Sequence, residues 1–382
     1  MEGEPTQPSE ESAPIRVGVV GCGGVLWSYG AALRVLIESK QAAIVAMSDI
    51  DPARGPIMQK NYGPVRFSTR YEDVVSDDEV DLVLILTSPD VHGEVAIAAL
   101  EAGKHVLVEK PMAGSLEEAA RMVRVARERG LHLVCAPHTI LSHTFQVMWK
   151  RLRAGEIGDV CLARARYGEA DLGWGKWRFT DVPGSGPLFE CGVYNVATLA
   201  GLLGPATRVI AMGGIAVPEI ELDTGALAVE RPDTTQLLID FGGRAYATIA
   251  TGYWMWGARG PAIELYGTAG AMQMLGEDWA PRGHELLRAG SPAWEFHPEQ
   301  DPAWHWTDGL PQLVETIRTG GEPLTTPEFA YHVQEIMVRG EESIASGEPR
   351  AVESTFPDLR LDPNAINPHE RVWRAVAVGS YT

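Results

Sequence analysis

Basic residues are scarce in this chain. Its 382 residues include 32 Lys and Arg against 51 Asp and Glu, which gives a formal net charge of −19 at pH 7. A surface of that sign repels the phosphate backbone of nucleic acids and the anionic headgroups of lipids. The composition therefore disfavours nucleic acid and membrane as partners.

Cysteines and long apolar runs are also sparse. The 4 cysteines are scattered at Cys22, Cys135, Cys161 and Cys191. They include no CxxC pair and no His at zinc-ligand spacing, so we expect reduced thiols, a cytoplasmic location and no metal site. The strongest apolar run, 82–86, has the length of a strand and not the roughly 18 residues of a membrane span. Residues 1–14 lack the basic and apolar regions of a secretory signal, which predicts a disordered tail and no export.

The first part of the chain alternates strand-like and helix-like segments. A β-branched run at 15–20 enters the glycine-rich turn 21–24, and an apolar helix is predicted at 25–37. Further strands are predicted at 43–47, 81–87, 105–108 and 131–135, with helices at 91–102 and 115–129. Such alternation is typical of βαβ units around a parallel sheet. We therefore predict an α/β domain over residues 15–138.

The second part, residues 139–382, has a different order of predicted helices and strands. A helix at 144–154 is followed by strand-like segments at 160–167, 208–212, 234–241, 244–251, 262–266 and 271–275, and helices return at 309–319 and 327–345. Hairpin signals at 242–243 and 267–270 indicate a meander of consecutive strands. We predict an α+β domain with a large, open, mainly antiparallel sheet, whose second face is free for solvent or a partner subunit.

The glycine-rich turn is the first candidate site. Glycines after a strand let the backbone approach a pyrophosphate, to which the next helix offers free N–H groups. Gly21 and Gly23 fit the GxGxxG pattern, whereas Leu26 stands at the third position. Asp49 ends the second strand, where it would accept from an adenosine ribose and repel a 2′-phosphate. We predict a Rossmann domain that binds NAD in preference to NADP, through Gly21, Gly23, Gly24, Val25, Leu26 and Asp49. The alternatives are an ordinary tight turn and a loop-capping Asp.

Two polar segments follow the next predicted strands. Ligands bind at the carboxyl ends of parallel strands, so side chains there face a crevice. A Lys at such an end, followed by a rigid Pro, is expected to point into the crevice, whereas an isolated Lys is usually a surface charge. The further cofactor contacts predicted on this basis are Thr87, Ser88, Pro89, His92, Glu109 and Lys110.

Several stretches together resemble the Gfo/Idh/MocA oxidoreductases. They are Gly-Cys-Gly-Gly at 21–24, Ser-Pro-Asp-Val-His at 88–92, Glu-Ala-Gly-Lys-His-Val-Leu-Val-Glu-Lys-Pro at 101–111, Ala-Gly-Glu-Ile-Gly-Asp at 154–159, Gly-Ser-Gly-Pro-Leu-Phe-Glu-Cys-Gly-Val-Tyr-Asn at 184–195 and Tyr-Gly-Thr-Ala-Gly at 266–270. The resemblance implies a two-domain NAD(P)-dependent enzyme that oxidises or reduces a sugar, polyol or related hydroxyl compound. It also implies a homodimer or homotetramer assembled through the open β-sheet.

The resemblance indicates three catalytic residues. Lys110 matches the Lys of the family's Glu-Lys-Pro motif, which lies beside the nicotinamide and the reacting hydroxyl. Many members have Asp-x-Gly-x-x-His downstream, where this chain has Glu190 and, as in the branch that uses Tyr, Tyr194. Because a phenol has a pKa of about 10, it needs a nearby cation to act as a base, and we expect Lys110 to supply it. The alternatives are a core aromatic at position 194 and Glu190 as the base.

Aromatic residues supply candidate substrate contacts. Trp174 and Trp177 can stack on the apolar faces of a sugar, although interdomain packing explains them equally well. His138 lies where the first domain ends and is a further candidate, with a structural core histidine as the alternative. The substrate site predicted around the reacting carbon comprises Lys110, His138, Trp174, Trp177, Glu190 and Tyr194. Neighbouring side chains expected to bond hydroxyls are Asp171, Lys176 and Arg178.

Three functions compete on this evidence. The first is hydride transfer between NAD and a hydroxyl or carbonyl carbon of a carbohydrate-like substrate. The second is a glycosidase or lyase that oxidises a sugar only transiently and regenerates NAD in each cycle. The third is a non-catalytic dinucleotide-sensing regulator, which the presence of Lys110 disfavours.

Overall fold

The N-terminal part of the chain forms a six-stranded parallel sheet. The computed structural model describes residues 13–170, 175–222, 225–298, 305–359 and 361. The strands of this sheet are β1 (Ile15–Val20), β2 (Ala42–Ser48), β3 (Arg66–Ser68), β4 (Leu82–Ile85), β5 (His105–Val108) and β6 (Leu133–Cys135). Their order, β3-β2-β1-β4-β5-β6, is that of a Rossmann domain and confirms the predicted fold class. All four residues of β4 are buried, as expected for a strand covered on both faces.

Helices cover both faces of this sheet. They are α1 (Gly24–Glu38), α2 (Arg54–Tyr62), α3 (Glu72–Val75), α4 (His92–Glu101) and α5 (Leu116–Arg129). Ser115 caps α5 by accepting the Glu118 N–H at 3.2 Å, and the left-handed Gly130 ends it. The short and mostly polar segments α2, β3 and α3 were not predicted from the sequence.

The C-terminal part is built on a nine-stranded sheet. Its order is β16-β15-β14-β13-β7-β12-β11-β8-β17. The strands are β7 (Val160–Gly168), β8 (Arg208–Gly214), β11 (Thr234–Phe241), β12 (Ala245–Gly252), β13 (Ile263–Gly267), β14 (Gly270–Glu277), β15 (Ala280–Arg288), β16 (Glu295–His297) and β17 (Arg350–Ala351). A separate two-stranded hairpin consists of β9 (Glu219–Leu222) and β10 (Gly225–Ala228). The helices are α6 (His143–Arg153), α7 (Val193–Leu203), α8 (Gly309–Thr319) and α9 (Pro327–Ser346).

Strand β7 interrupts the predicted meander. The sequence order suggested that β12 and β13 are neighbours, but β7 lies between them. It pairs parallel with β12 and antiparallel with β13. The expectation of a simple meander is therefore wrong at this point, although the sheet is mainly antiparallel as predicted.

The two faces of the nine-stranded sheet differ. In β11, Leu237 and Ile239 are buried under the helices, whereas Gln236 and Leu238, which alternate with them, are exposed. This period of two follows from the pleat of a strand. Large apolar side chains nevertheless lie on the uncovered face, at Leu162, Met212, Leu238 and Tyr246.

Helix α8 returns to the N-terminal sheet. It packs against α1, β1 and β5. Its buried residues Leu310, Leu313 and Val314 belong to the same apolar cluster as Leu26 and Tyr29 of α1. The core of the Rossmann half is thus completed by residues from late in the sequence. Within the part of the chain that the structure describes, no helix is long and apolar enough to span a membrane.

Candidate active site

The glycine-rich turn has the geometry that a dinucleotide requires. Gly21 has a φ of +95°, and a Cβ there would lie 2.6 Å from the Leu86 main-chain oxygen, so only glycine fits. A Cβ added at Gly23 or Gly24 would meet nothing within 4 Å, which shows that the turn faces open space at the N-terminus of α1. These features fit a bound pyrophosphate.

The side chain of Leu26 does not line the glycine-rich turn. It is 2 % exposed and packs into the core, so it is available to a cofactor only through its backbone. The prediction that Leu26 contacts NAD is therefore corrected for its side chain, which does not face the site. The departure from glycine at the third position is accommodated because the leucine side chain points away from the turn's open side and into the cluster that includes Tyr29 and Leu33.

Asp49 is fixed beside the turn. Its Oδ2 accepts the Cys22 N–H at 2.7 Å, and its Oδ1 accepts the Asp51 N–H at 2.9 Å. The side chain is partly exposed at the carboxyl end of β2. It therefore caps a loop, as one of the two interpretations drawn from the sequence predicted, and the ribose contact stays a prediction.

His92 connects the loops that follow β4 and β5. Its Nδ1 lies 2.7 Å from the Pro111 oxygen and its Nε2 lies 3.1 Å from the Thr87 oxygen. The ring is 1 % exposed, and burial lowers its pKa. Both ring nitrogens thus face main-chain carbonyls, which corrects the expectation of a direct cofactor contact. Thr87 and Ser88 remain accessible at the same edge, whereas Pro89 is buried.

Glu109 is held between Tyr29 and the backbone. Its Oε1 accepts the Tyr29 hydroxyl at 2.7 Å, and its Oε2 accepts the Lys110 N–H at 3.0 Å. Burial and the neighbouring carboxylate raise the pKa of Tyr29 well above its usual value. Tyr29, which the sequence did not single out, therefore fixes the segment that carries Lys110.

Lys110, Glu190 and Tyr194 meet where the two halves of the molecule join. Lys110 follows β5, whereas Glu190 lies in a π-helical turn, Leu188–Gly192, that leads directly into α7. The Lys110 Nζ donates to the Glu190 main-chain oxygen at 3.1 Å and lies 3.9 Å from Glu190 Oε1. It also lies 5.6 Å from the centroid of the Tyr194 ring. The three predicted catalytic residues are thus brought together at the start of α7.

Tyr194 lies among groups that oppose its ionisation. Burial raises its pKa well above 10, and the charge of Glu109 and the groups at Tyr167, Cys191 and Glu190 raise it further. These groups oppose the phenolate that was expected beside Lys110, which stays a prediction. From the sequence we expected a cation beside Tyr194, but neither its burial nor the carboxylates around it could be predicted.

Arg178 lies behind Glu190. It belongs to a short helical turn, Lys176–Phe179, and its side chain is 1 % exposed. The guanidinium is ion-paired with Glu190 and, at 2.5 Å, with Glu169, and it lies 4.5 Å from the Tyr253 ring centroid. The expectation that Arg178 bonds substrate hydroxyls is corrected because protein groups surround it. Trp177 of the same turn is half-buried.

A second buried polar group lies behind Tyr194. The ring of Tyr167 meets the Tyr194 ring edge to face at 5.6 Å and also contacts Trp279. Asn195 donates to Asp278 Oδ2 at 2.7 Å, and burial raises the pKa of Asp278 to about 7. Sequence reasoning missed this group, because Asp278 is distant along the chain and no local motif marks it.

His138 is a core residue. It is 1 % exposed, burial lowers its pKa to about 3, and a Cβ added at Gly309 would lie 2.1 Å from its ring. The ring thus packs against the first residue of α8, which corrects the predicted substrate contact and favours the structural alternative. The predicted contacts Asp171 and Trp174 lie outside the described residues. Within the described ranges no group of three His, Cys, Asp or Glu residues has the arrangement of a metal site.

Comparison with known proteins identifies both halves of the chain. Residues 15–136 match the model of the oxidoreductase family with an NAD-binding Rossmann fold, and residues 145–273 match the GFO/IDH/MocA C-terminal domain. Among solved structures, an NAD-binding oxidoreductase from Klebsiella pneumoniae superposes with a TM-score of 0.78 at 23 % identity, over 90 % of this chain and 100 % of that chain. A levoglucosan dehydrogenase in complex with NADH also superposes with a TM-score of 0.78, at 21 % identity over 89 % of this chain and 100 % of that chain. These structures share the fold.

Characterised relatives are more similar in sequence. A dTDP-3,4-didehydro-2,6-dideoxy-alpha-D-glucose 3-reductase of Saccharopolyspora spinosa is 30 % identical over 65 % of this chain and 74 % of its own length. A trans-1,2-dihydrobenzene-1,2-diol dehydrogenase of Macaca fuscata fuscata is 27 % identical over 70 % of this chain and 76 % of its own length. With the glycine-rich turn, the Glu-Lys-Pro segment and both domain matches in place, this chain belongs to the GFO/IDH/MocA family of oxidoreductases.

Proposed function

We propose that the protein transfers a hydride between NAD and the hydroxyl or carbonyl carbon of an uncharged, carbohydrate-like substrate. The observation that carries this proposal is the convergence of Lys110, Glu190 and Tyr194 beside the carboxyl end of β5. Similar proteins with related activities are the dTDP-sugar 3-reductase and a 1,5-anhydro-D-fructose reductase, the latter 33 % identical over 55 % of its length.

The residues that would hold the cofactor follow from the geometry. The turn at Gly21 and Gly23 and the N-terminus of α1 would receive the pyrophosphate. Asp49 would accept from the adenosine ribose, and its charge would disfavour a 2′-phosphate, so we propose NAD over NADP. Thr87 and Ser88, at the end of β4, would line the path toward Lys110. The dinucleotide would supply the hydride donor or acceptor.

Proton transfer falls to this chain's own residues. In the reductive direction the neutral Tyr194 phenol donates its proton to the substrate oxygen as negative charge develops there. The Lys110 ammonium, 5.6 Å from the Tyr194 ring centroid, stabilises the negative charge on both oxygens. In the oxidative direction Tyr194 must first lose its proton, which its raised pKa opposes.

The charges around the site favour an uncharged substrate. Glu109 and Glu190 act on Tyr194, while Glu169, Glu277 and Asp278 act on the adjacent Tyr167. Arg178 is ion-paired with two of these carboxylates, and Arg166 with Glu277. A phosphate or carboxylate next to the reacting carbon would be repelled by this surplus of negative charge.

The test is turnover by the purified protein. We expect a change in nicotinamide absorbance with NADH and uncharged keto-sugars or cyclic ketones, and a rate at least about 10²-fold lower with Lys110→Met. A full panel of neutral and anionic carbonyl compounds without turnover would contradict the proposal. Glycoside cleavage without net NADH would instead indicate the transient-oxidation mechanism, and tight cofactor binding without any chemistry would indicate a sensing role.

The uncovered face of the nine-stranded sheet supports a further proposal, that copies of this chain associate there. Leu162 and Tyr246 are paired neighbours on β7 and β12, and both are exposed on this face. Leu238 on the adjacent strand β11 extends the patch. An apolar surface on a sheet gains stability when a second sheet or subunit covers it. We therefore propose a homodimer or homotetramer built through this face.

A further inference from the structure

Arg178 is part of an alternating chain of charges. In order of contact these charges are Glu169, Arg178, Glu190 and Lys110, and Arg178 is the most buried of them. Two of these side chains, those of Arg178 and Glu190, are 1 % and 11 % exposed, so water screens their interaction weakly. Two cations therefore share one buried carboxylate, and the position of that carboxylate depends on both.

The Glu190 carboxylate is turned toward Arg178. Its Oε2 contacts the Arg178 Nε, whereas its Oε1 lies 3.9 Å from the Lys110 Nζ, beyond the length of a hydrogen bond. Lys110 donates instead to the main-chain oxygen of Glu190 at 3.1 Å. The ammonium thus makes no hydrogen bond to the carboxylate, and the main-chain oxygen uses only one of its three N–H donors.

We propose that Arg178 is a positioning residue, which holds the Glu190 carboxylate away from Lys110 so that the ammonium is available to the substrate oxygen. This inference rests on the proposed function and assigns Arg178 no contact with substrate. A Lys110 in a direct ion pair with Glu190 would direct its strongest hydrogen bond to the carboxylate, and its charge would be offset at the reacting carbon.

The loss of Arg178 has a predictable structural result. A buried carboxylate that loses its partner is strongly destabilised and turns to the nearest remaining cation. For Glu190 that cation is Lys110, 3.9 Å away. Glu169, in contrast, is about a third exposed and can be solvated. When Arg178 is removed, the Glu190 carboxylate is therefore expected to move to Lys110, whereas the Glu169 carboxylate is solvated.

A direct test is the crystal structure of Arg178→Gln. We expect a Glu190 carboxylate oxygen within about 3.2 Å of the Lys110 Nζ, which is hydrogen-bond distance. An unchanged separation would overturn the inference, whether or not the protein has the proposed activity. If Arg178→Gln does not fold, Glu169→Gln/Arg178→Gln removes the second unpaired carboxylate and permits the same measurement.

A kinetic test separates positioning from a structural role. We expect Arg178→Gln to lower kcat by about 10²-fold with the KM for NADH unchanged, because Lys110 is then bonded to the carboxylate and is not available to the substrate oxygen. Arg178→Lys should retain most of the rate.

The decisive comparison is a double variant. In Glu190→Gln/Arg178→Gln no carboxylate can approach Lys110, so we expect at least tenfold recovery of kcat relative to Arg178→Gln. Glu169→Gln is the matched control and should change kcat by less than about threefold, since Glu169 is not in contact with Lys110. Additive losses in the double variant, with as large a loss of kcat in Arg178→Lys as in Arg178→Gln, would show that Arg178 acts on the fold alone.

Discussion

The Lys110 ammonium faces the ring of Tyr194 at 5.6 Å from its centroid, while its hydrogen bond goes to the main-chain oxygen of Glu190. This arrangement stabilises the ammonium without a direct bond to a carboxylate. A cation over an aromatic face gains about 0.5 to 2 kcal/mol, depending on its exposure to water. Lys110 follows strand β5 of the N-terminal half and Tyr194 lies in helix α7 of the C-terminal half, so the site exists only when both halves of the chain are folded together.

Substitutions at this pair are expected to act as one unit. Lys110→Met and Tyr194→Phe should each lower kcat by about 10²- to 10⁴-fold, and the double variant should be little worse than either, because both residues serve one proton transfer. Steady-state kinetics and NADH titration should show lost turnover with cofactor affinity retained. Tyr331→Phe, a tyrosine packed against the α5 side of the Rossmann sheet, is the control. Near-normal turnover of Tyr194→Phe would transfer the proton-donor role to another group.

The pH dependence should differ between the two reaction directions. The pKa of Tyr194 is raised above 10, so the phenol stays protonated through neutral pH. The reductive kcat/KM should therefore be flat near pH 7 and fall only at strongly alkaline pH. The oxidative kcat/KM should rise steadily with pH over the same range, since the phenolate fraction increases. In Tyr194→Phe both dependences should disappear; an unchanged alkaline limb would contradict the assignment.

Asp49 is expected to set the choice of cofactor. The wild type should bind NADH more tightly than NADPH, and Asp49→Asn should lose about tenfold of that preference, because the amide removes the like charge opposite a 2′-phosphate. The substitution retains an acceptor for the Cys22 N–H, so the turn should keep its shape. Fluorescence titration with both dinucleotides gives the ratio. Asp51→Asn, two residues away, should not change it; equal wild-type affinities would exclude this role for Asp49.

Asp278 makes stability depend on pH with an unusual sign. Its pKa is about 7 in the folded protein and ordinarily 3.8, so between these values the native state holds a proton that the unfolded state has released. The free energy of unfolding should therefore fall as pH rises from about 4 to about 7, by an amount on the order of 3 kcal/mol for this group. Denaturant titrations of Asp278→Asn should lack this component, whereas Asp358→Asn, an exposed control, should retain it. An identical pH dependence in Asp278→Asn and wild type would refute the assignment.

The uncovered sheet face should determine the oligomeric state. We expect sedimentation of the wild type to give a multiple of 41.4 kDa and Leu238→Lys to sediment as a monomer, because a lysine on each copy would place like charges in the interface. Ile57→Lys introduces the same charge at an exposed apolar position on α2 and should leave the assembly intact. A wild type that is monomeric at micromolar concentration would rule out this interface.

The elements that the sequence predicted well have local signals. Strand β5 and helix α8 begin and end where the pattern of apolar residues predicted. Ser115 and Gly130 mark the ends of α5 through their own chemistry. Strand and helix patterns of this kind depend on neighbours a few residues away, so they can be recognised in the sequence without knowledge of the fold.

The features that the sequence did not predict depend on distant contacts. The insertion of β7 between β12 and β13 is a matter of topology, for which adjacent strands carry no local mark. Arg178 was interpreted as a substrate ligand because its partner Glu169 was not recognised, and the phenolate of Tyr194 was expected because its burial was not known. In each case the missing information was the distance to a group far along the chain.

The return of α8 to the Rossmann half has a consequence for synthesis on the ribosome. The six parallel strands leave the exit tunnel long before Leu310 and Leu313, which complete the cluster around Leu26 and Tyr29. The nascent domain therefore exposes an apolar groove until α8 has been made. The first half of the chain completes its core only then, and a chain truncated after the Rossmann strands would expose this groove and be prone to aggregation.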